Sequence, residues 1–219
     1  GRTRAHEGVK VTAKALGWFV FIGVVATAIP FVMYAHAAET TGSAVMAICN
    51  GGTPFATVLL AHFLTSEKLT LRRMIGVLMG FAGLVVLVLP EFGVEGGGSM
   101  VGILLAIFGA WLYAVGNVAT RMAPRIEPAM SSLILIVTGG VVTLMFALAT
   151  EPFPTGASTN SIIAMIVLGL LPTAFAMFVY VWLIQRAGPV FVSFTTYMSP
   201  LWATGLGVLF LGEPLHWSM

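Results

Sequence analysis

The side chains that could do chemistry inside the long apolar stretches of this chain are hydroxyls, amides and prolines, and none of them is charged. At about 100° per residue along a helix, Asn50, Thr53 and Thr57 share one face, and the corresponding face of a later stretch carries Thr196 and Ser199. Thr27 and Tyr34 share another face, as do Thr173 and Tyr180. A further stripe, through Gly102, Ala106, Gly109, Ala110, Tyr113, Gly116, Asn117 and Thr120, is entirely small or polar. Opposite it lie Ile103, Ile107, Phe108, Trp111, Val115 and Val118, so this helix is expected to turn its small stripe to the bundle. Pro54, following Asn50-Gly51-Gly52-Thr53, and Pro200, following Ser199, interrupt two of the stretches. Proline lacks a donor and frees the carbonyl four residues earlier, which a membrane tolerates only where neighbours or cavity water satisfy it. The chemistry expected is therefore hydrogen-bonded binding of a small molecule by Asn117, Tyr113, Asn50, Thr53, Pro54, Thr27, Thr173, Tyr180, Thr196, Ser199 and Pro200, with Asn117 and Tyr113 leading. The competing uses are a helix–helix hydrogen bond for Asn117 and simple kinks for the prolines.

Bond-making chemistry has little support. The chain contains no Asp, its one cysteine, Cys49, can form neither a disulfide nor a metal cluster, and no Ser/His/acid or metal-ligand constellation occurs. Lys10, Lys14 and Lys68 all fall outside the apolar stretches, which leaves a retinal Schiff base no attachment point. No enzyme activity, cofactor or metal is expected. His62 and His36 fall at stretch ends, Trp182 and Trp217 suit the interfacial aromatic belt, and Gly76, Gly80 and Gly83 form a small-residue packing face.

The elements that must position these residues are membrane helices. The chain is 58% apolar and 8% charged, against roughly 45–50% and 25% in soluble domains. A spanning helix needs roughly 20 largely apolar residues, and seven stretches qualify, at about 16–34, 43–64, 74–90, 100–120, 131–149, 162–184 and 190–211. Arg2, Arg4, Lys10, Lys14, Lys68, Arg72, Arg73, Arg121, Arg125 and Arg186 all fall on one side of this arrangement, and Glu39, Glu91, Glu95, Glu151 and Glu213 on the other. Short cytoplasmic loops collect Lys and Arg, so the start of the chain is predicted to be cytoplasmic, and the basic balance calls for no nucleic-acid partner.

One segment occurs twice. Residues 23–69 set over 169–215 without a gap match at Gly23/Gly169, Thr27/Thr173, Ala28/Ala174, Tyr34/Tyr180, Gly42/Gly188, Pro54/Pro200, Leu60/Leu206, Glu67/Glu213 and Leu69/Leu215. Five spans separate equivalent positions, so the copies are predicted to enter the membrane from opposite sides, the inverted repeat on which alternating access is built. The expected fold is all-α and integral to the membrane, an inverted repeat of five-helix units. Residues 1–90 would hold the latter part of the first unit, 91–99 an external linker, and 100–219 the second unit without its last span. Ten helices are expected in full, about seven of them here.

The segment Thr53-Pro54-Phe55-Ala56 through Glu67-Lys68-Leu69-Thr70-Leu71-Arg72, running into Gly76-Val77-Leu78-Met79-Gly80-Phe81-Ala82-Gly83, resembles the repeat signature of the drug/metabolite transporter superfamily, EamA type. So does Ser199-Pro200 through Leu211-Gly212-Glu213-Pro214-Leu215, whereas Thr65-Ser66-Glu67 stands where the family usually has Leu-Gly-Glu. The resemblance implies a ten-helix exporter or importer of small metabolites with a central cavity between its halves, and the expected function is a transporter, an exporter of small metabolites or drug-like compounds, in the plasma (inner) membrane. The absence of charge inside the spans favours a neutral, zwitterionic or moderately apolar cargo, and a homodimer is compatible with this reading. The alternative is a non-transporting membrane scaffold, which would show a dry, packed interface between the Pro54 and Pro200 spans.

Overall fold

In lipid every backbone N–H and C=O must be satisfied within its own segment, so apolar stretches of this length become helices. The computed structural model describes residues 11–89, 98–151, 156, 158–206 and 209, and among these every regular element is helical. Among the described residues six helical spans are long and apolar enough to cross a membrane: Ala13–Ala38, Ser43–Leu64, Leu71–Val88, Met100–Met122, Pro128–Thr150 and Thr159–Ala187. They match the first six expected stretches to within a few residues. Of the expected seventh, 190–211, residues 190–206 and 209 are described.

Within these spans the elements are α1 (Ala13–Gly23), a π-helical segment Val24–Ala28, α2 (Ile29–Ala38), α3 (Ser43–Asn50), α4 (Thr53–Leu64), α5 (Leu71–Val88), α6 (Met100–Met122) and α7 (Pro128–Thr150). After them come α8 (Thr159–Leu168), a second π-helical segment Gly169–Phe175, α9 (Ala176–Ala187), α10 (Pro189–Ser193) and α11 (Thr195–Leu206). Sequence-local chemistry sets their starts. The hydroxyls of Thr12, Thr70, Ser99 and Ser158 accept from backbone N–H groups of the first turns of α1, α5, α6 and α8. Pro54, Pro128 and Pro189 sit at helix starts, where a missing N–H costs nothing. α9 ends at Gly188 with φ 93, a left-handed conformation that favours glycine.

Packing is carried by small residues, as expected where lipid tails remove the hydrophobic drive between helices. The buried face of α6 includes Gly102, Ala106, Gly109, Ala110, Gly116, Asn117 and Thr120, while Ile107, Phe108 and Trp111 are exposed. Val118, on the bulky side opposite the small stripe, meets neighbouring helices. It is 1% exposed, packed with Val58, Ala61, Val77 and Val190 where α4, α5, α6 and α10 meet. A second cluster, Ala15, Phe19, Ile22, Ala119, Ala123, Ile126, Leu135 and Val181, joins α1, α6, α7 and α9. Polar ties fix the same end of the bundle: Trp18 Nε1 donates to the Ala119 carbonyl at 2.9 Å, and Arg121 to the Gln185 carbonyl at 2.6 Å. Gly80 of the glycine face lies under the Tyr197 ring and Gly76 against Phe194, whereas Gly83 meets nothing.

One expectation is corrected here. The first interrupted span breaks where the sequence placed the break, between Asn50 and Thr53. The second does not break at Ser199-Pro200: the interruption falls at Phe194, and Pro200 sits inside a continuous α11. Gly51-Gly52 gives the first span a turn with little side-chain bulk, whereas the residues before Pro200 are Thr196, Tyr197, Met198 and Ser199, which hold the helix. His62 ties the loop that follows α4 to the helix, Nδ1 accepting from Leu69 N–H at 3.2 Å, and Arg186 lies over the Trp182 ring, 4.4 Å from its centroid. Trp217, Glu91, Glu95 and Glu213 lie outside the described residues.

Candidate functional site

A cavity of about 440 Å³ opens where the two π-helical segments face α3, α6 and the α10–α11 break. Each π segment adjoins a proline, Pro30 just after the first and Pro172 inside the second, and they cover repeat-equivalent positions. A proline ring displaces the preceding turn, and a widened turn is one way to absorb it; single π turns of this kind concentrate at functional sites. In the second copy the repair is visible: the Thr173 hydroxyl donates to the Leu168 carbonyl at 2.9 Å, the acceptor that Pro172 cannot serve.

The cavity brings together Thr27, Asn50, Thr53, Tyr113, Asn117, Thr173, Tyr180 and Thr196 from the expected set. It does not bring in the other three. Pro54 is fully buried in packing, Pro200 is half-buried away from the cavity, and Ser199 is exposed. Pro54 is taken up by packing at the start of α4, and Ser199 and Pro200 lie further along α11 than Thr196, the last residue of that helix on the cavity. Sequence reasoning missed Phe31 and Met177, each four residues past a cavity threonine and therefore on its face, and the pair Ser193 and Thr195 that flank the Phe194 break. Ile22, Ala26, Leu135, Pro172, Ala176 and Val192 complete the wall. The helical phase signal would have found the first two; the break had no signal.

A chain of hydrogen bonds runs behind the cavity. Tyr180 Oη donates to Asn117 Oδ1 at 2.7 Å, Asn117 Nδ2 to Thr57 Oγ1 at 3.1 Å, and Thr57 Oγ1 to the Thr53 carbonyl at 2.8 Å. Asn117, 5% exposed, thus bridges α4, α6 and α9, the helix–helix use that competed with cavity lining in the sequence. It does both. On the other side, Tyr34 Oη donates to Asn50 Oδ1 at 3.3 Å, and Thr53 Oγ1 lies 3.3 Å from Asn50 Oδ1 and 3.4 Å from the Ala110 carbonyl. Tyr34 also stacks on Tyr113, ring centroids 5.8 Å apart at 22°, with its other flank against Gly109.

Among the described residues no Asp, Glu, Lys, Arg or His lines the cavity, and no group of three or more metal-ligating side chains occurs. Such a wall can orient a molecule by hydrogen bonds and ring contacts.

The chain is similar to members of a transporter family. The family model described as EamA-like transporter family matches residues 5–89 and 100–219. An uncharacterized transporter of Clostridium kluyveri is 24% identical over 213 residues, covering 95% of this chain and 68% of that protein. Protein PecM of Dickeya dadantii is 26% identical over 205 residues, covering 90% of this chain and 67% of PecM. A chloroplastic WAT1-related protein of Arabidopsis thaliana is 26% identical over 188 residues, covering 82% of this chain and 45% of its own length. A crystal structure at 21% identity superposes with a TM-score of 0.74, covering 94% of this chain and 80% of the other, which shows a shared fold. With the family model matching nearly the whole length of a chain of apolar helices, the protein belongs to the EamA-like transporter family of multi-pass membrane transporters.

Proposed function

We propose that the protein is a carrier that exports a neutral, zwitterionic or moderately apolar small metabolite across the plasma (inner) membrane by alternating access, with the start of the chain cytoplasmic. The observation that carries this reading is the composition of the cavity wall. Four of its positions pair with four others at the repeat offset: Ala26 with Pro172, Thr27 with Thr173, Phe31 with Met177, and Asn50 with Thr196. A cavity built from equivalent positions of two copies lies about their shared axis. Two copies in opposite orientation can exchange conformations about that axis, which is the physical basis for opening to either side. The Tyr197 hydroxyl supports the same axis, donating to the Gly51 carbonyl at 3.0 Å, its own repeat-equivalent position.

The uncharged wall supports the cargo class, since a fixed charge buried without a partner is expensive. Uptake by vesicles carrying the full-length protein, measured against protein-free vesicles over a panel of neutral, zwitterionic, anionic and cationic metabolites, tests it; uptake confined to charged compounds would overturn the cargo class. Orientation is tested by cysteines placed beside Glu151 and Arg72. An impermeant thiol reagent applied to intact cells should label the first and spare the second, and equal labelling would reverse or abolish the assignment. The scaffold reading draws on the direct Tyr197–Gly51 bond between the two interrupted spans, and predicts no uptake of any compound.

A further inference from the structure

The polar groups of the cavity wall divide by whether the protein itself engages them. Thr53, Asn117, Thr173 and Tyr180 are tied as described above. Ser193 and Thr195 donate to the carbonyls of Val190 and Val192 at 2.8 and 2.7 Å. Among the described residues, by contrast, the hydroxyls of Thr27, Tyr113 and Thr196 make no hydrogen bond, and Asn50 is engaged only through Oδ1, leaving Nδ2 without an acceptor. All four line the cavity.

These four groups are also held in place by contacts that do not use them. The Thr27 methyl is seated 2.7 Å from where a Cβ on Gly139 would lie, which commits its hydroxyl to the other branch of the side chain. Tyr113 is fixed through its ring, stacked on Tyr34. Asn50 is oriented by the two hydroxyls that address Oδ1, so its NH2 points the other way. Thr196 precedes Pro200 by four residues, and the missing N–H of Pro200 leaves the Thr196 carbonyl without its helical donor beside the hydroxyl. Unengaged polar groups held rigidly in a cavity are the arrangement that recognises a ligand at low entropic cost, whereas groups already bonded to the protein mainly support the wall.

We infer that cargo recognition in this cavity rests on Thr27, Asn50, Tyr113 and Thr196, which select an uncharged molecule bearing at least two hydrogen-bond acceptors of the carbonyl or ring-nitrogen kind, and that Asn117 and Tyr180 form a supporting strut. The inference rests on the carrier reading of the same cavity. Three hydroxyls can donate or accept, but Asn50 Nδ2 can only donate, so the cargo must supply acceptors. No wall residue can neutralise a net charge. First repeat, α6 and second repeat each contribute, so a single molecule would touch both halves at once.

The test is a thermal-shift measurement on purified full-length protein with four probes: nicotinamide and uracil, which are neutral and acceptor-bearing, benzoate, and tetramethylammonium. Nicotinamide or uracil at millimolar concentration should raise Tm by about 2–4 °C, and the two ions should not. Thr27→Val, Thr196→Val and Tyr113→Phe should abolish the shift while leaving ligand-free Tm unchanged, because each removes a group that the protein does not use. Thr195→Val, which deletes an engaged hydroxyl of the same wall, should retain it. A shift from the ions alone, no shift from any probe, or equal loss in Thr195→Val and Thr196→Val would each overturn the inference. Nicotinamide and uracil uptake into vesicles is read separately. Binding without uptake would remove the carrier reading and leave the four-residue site standing; uptake that survives in Thr27→Val and Thr196→Val would do the reverse.

Discussion

The two copies of the repeated segment share a backbone feature and differ in the bonds built on it. Val24–Ala28 and Gly169–Phe175 are both π-helical, at equivalent positions, although the proline responsible lies after one and inside the other. Beyond that the copies diverge. The first copy breaks at Gly51-Gly52, and its tyrosine, Tyr34, bonds Asn50 within the same copy. The second copy breaks earlier, at Phe194, runs α11 through Pro200, and its tyrosine, Tyr180, reaches across to Asn117 on α6. Duplication has preserved the shape of the cavity-facing turn while the polar contacts around it have specialised. One half presents an amide at position 50, the other a hydroxyl at position 196.

The sharpest way to break this comparison is at the equivalent prolines. Pro54 begins α4, where it fits, whereas Pro200 interrupts the hydrogen bonding of α11. Pro200→Ala should therefore stabilise the protein by about 1–3 kcal/mol by restoring a donor for the Thr196 carbonyl, and Pro54→Ala should be neutral or mildly destabilising; equal responses in detergent melting curves would mean that the two helices do not differ as described. The equivalent glycines come next. Gly188 has φ 93 and lies against the Glu67 carboxylate, but Gly42 has φ −61. Gly188→Ala should cost about 1–2 kcal/mol from the left-handed backbone alone, with no such backbone strain in Gly42→Ala.

A smaller effect should separate Asn117 from Trp111 on the same helix. Asn117→Leu removes two side-chain bonds that join three helices, and at about 0.6 kcal/mol per membrane hydrogen bond the loss should be about 1 kcal/mol, seen as a lower Tm. Trp111→Leu, on the exposed face of the same helix, should stay within about 0.5 kcal/mol. If both variants melt alike, Asn117 is not a strut. The smallest change is expected at the pair Glu67–Arg73, 3.1 Å apart with Arg73 36% exposed. Glu67→Gln should alter stability by less than about 1 kcal/mol, and by less still in high salt; a larger loss would show that the carboxylate chiefly holds the Gly188 turn.

The residues show where legibility stopped. Phase along a helix placed Tyr113 and Asn117 on the inner stripe of α6 and Trp111 outside, because that choice depends only on the helical repeat within one segment. The same reasoning left the bulky side, with Val118, to meet either lipid or a neighbouring helix, and only the convergence of α4, α5 and α10 on that flank decides for the neighbours at Val118. Pro54 with Gly51-Gly52 announced the first break, since these residues act on their own helix, whereas the π turns beside Pro30 and Pro172 were not read from the sequence. Nothing local marked Phe194 as the second break, and the analogy with the first copy moved it to Ser199-Pro200.

Sequence by itself determined the membrane class, the extents of six spans, the repeat and the uncharged character of their interiors, because each follows from what a single segment must do to satisfy its backbone in lipid. Which polar groups are engaged and which remain available was decided only by the tertiary structure. Asn117 meets Thr57 and Tyr180 across 60 and 63 residues, and Thr27 is oriented by Gly139 of another helix. Those pairings depend on the rotation and offset of one helix against the next, which packing of small residues sets to within a fraction of an ångström and which no single segment encodes.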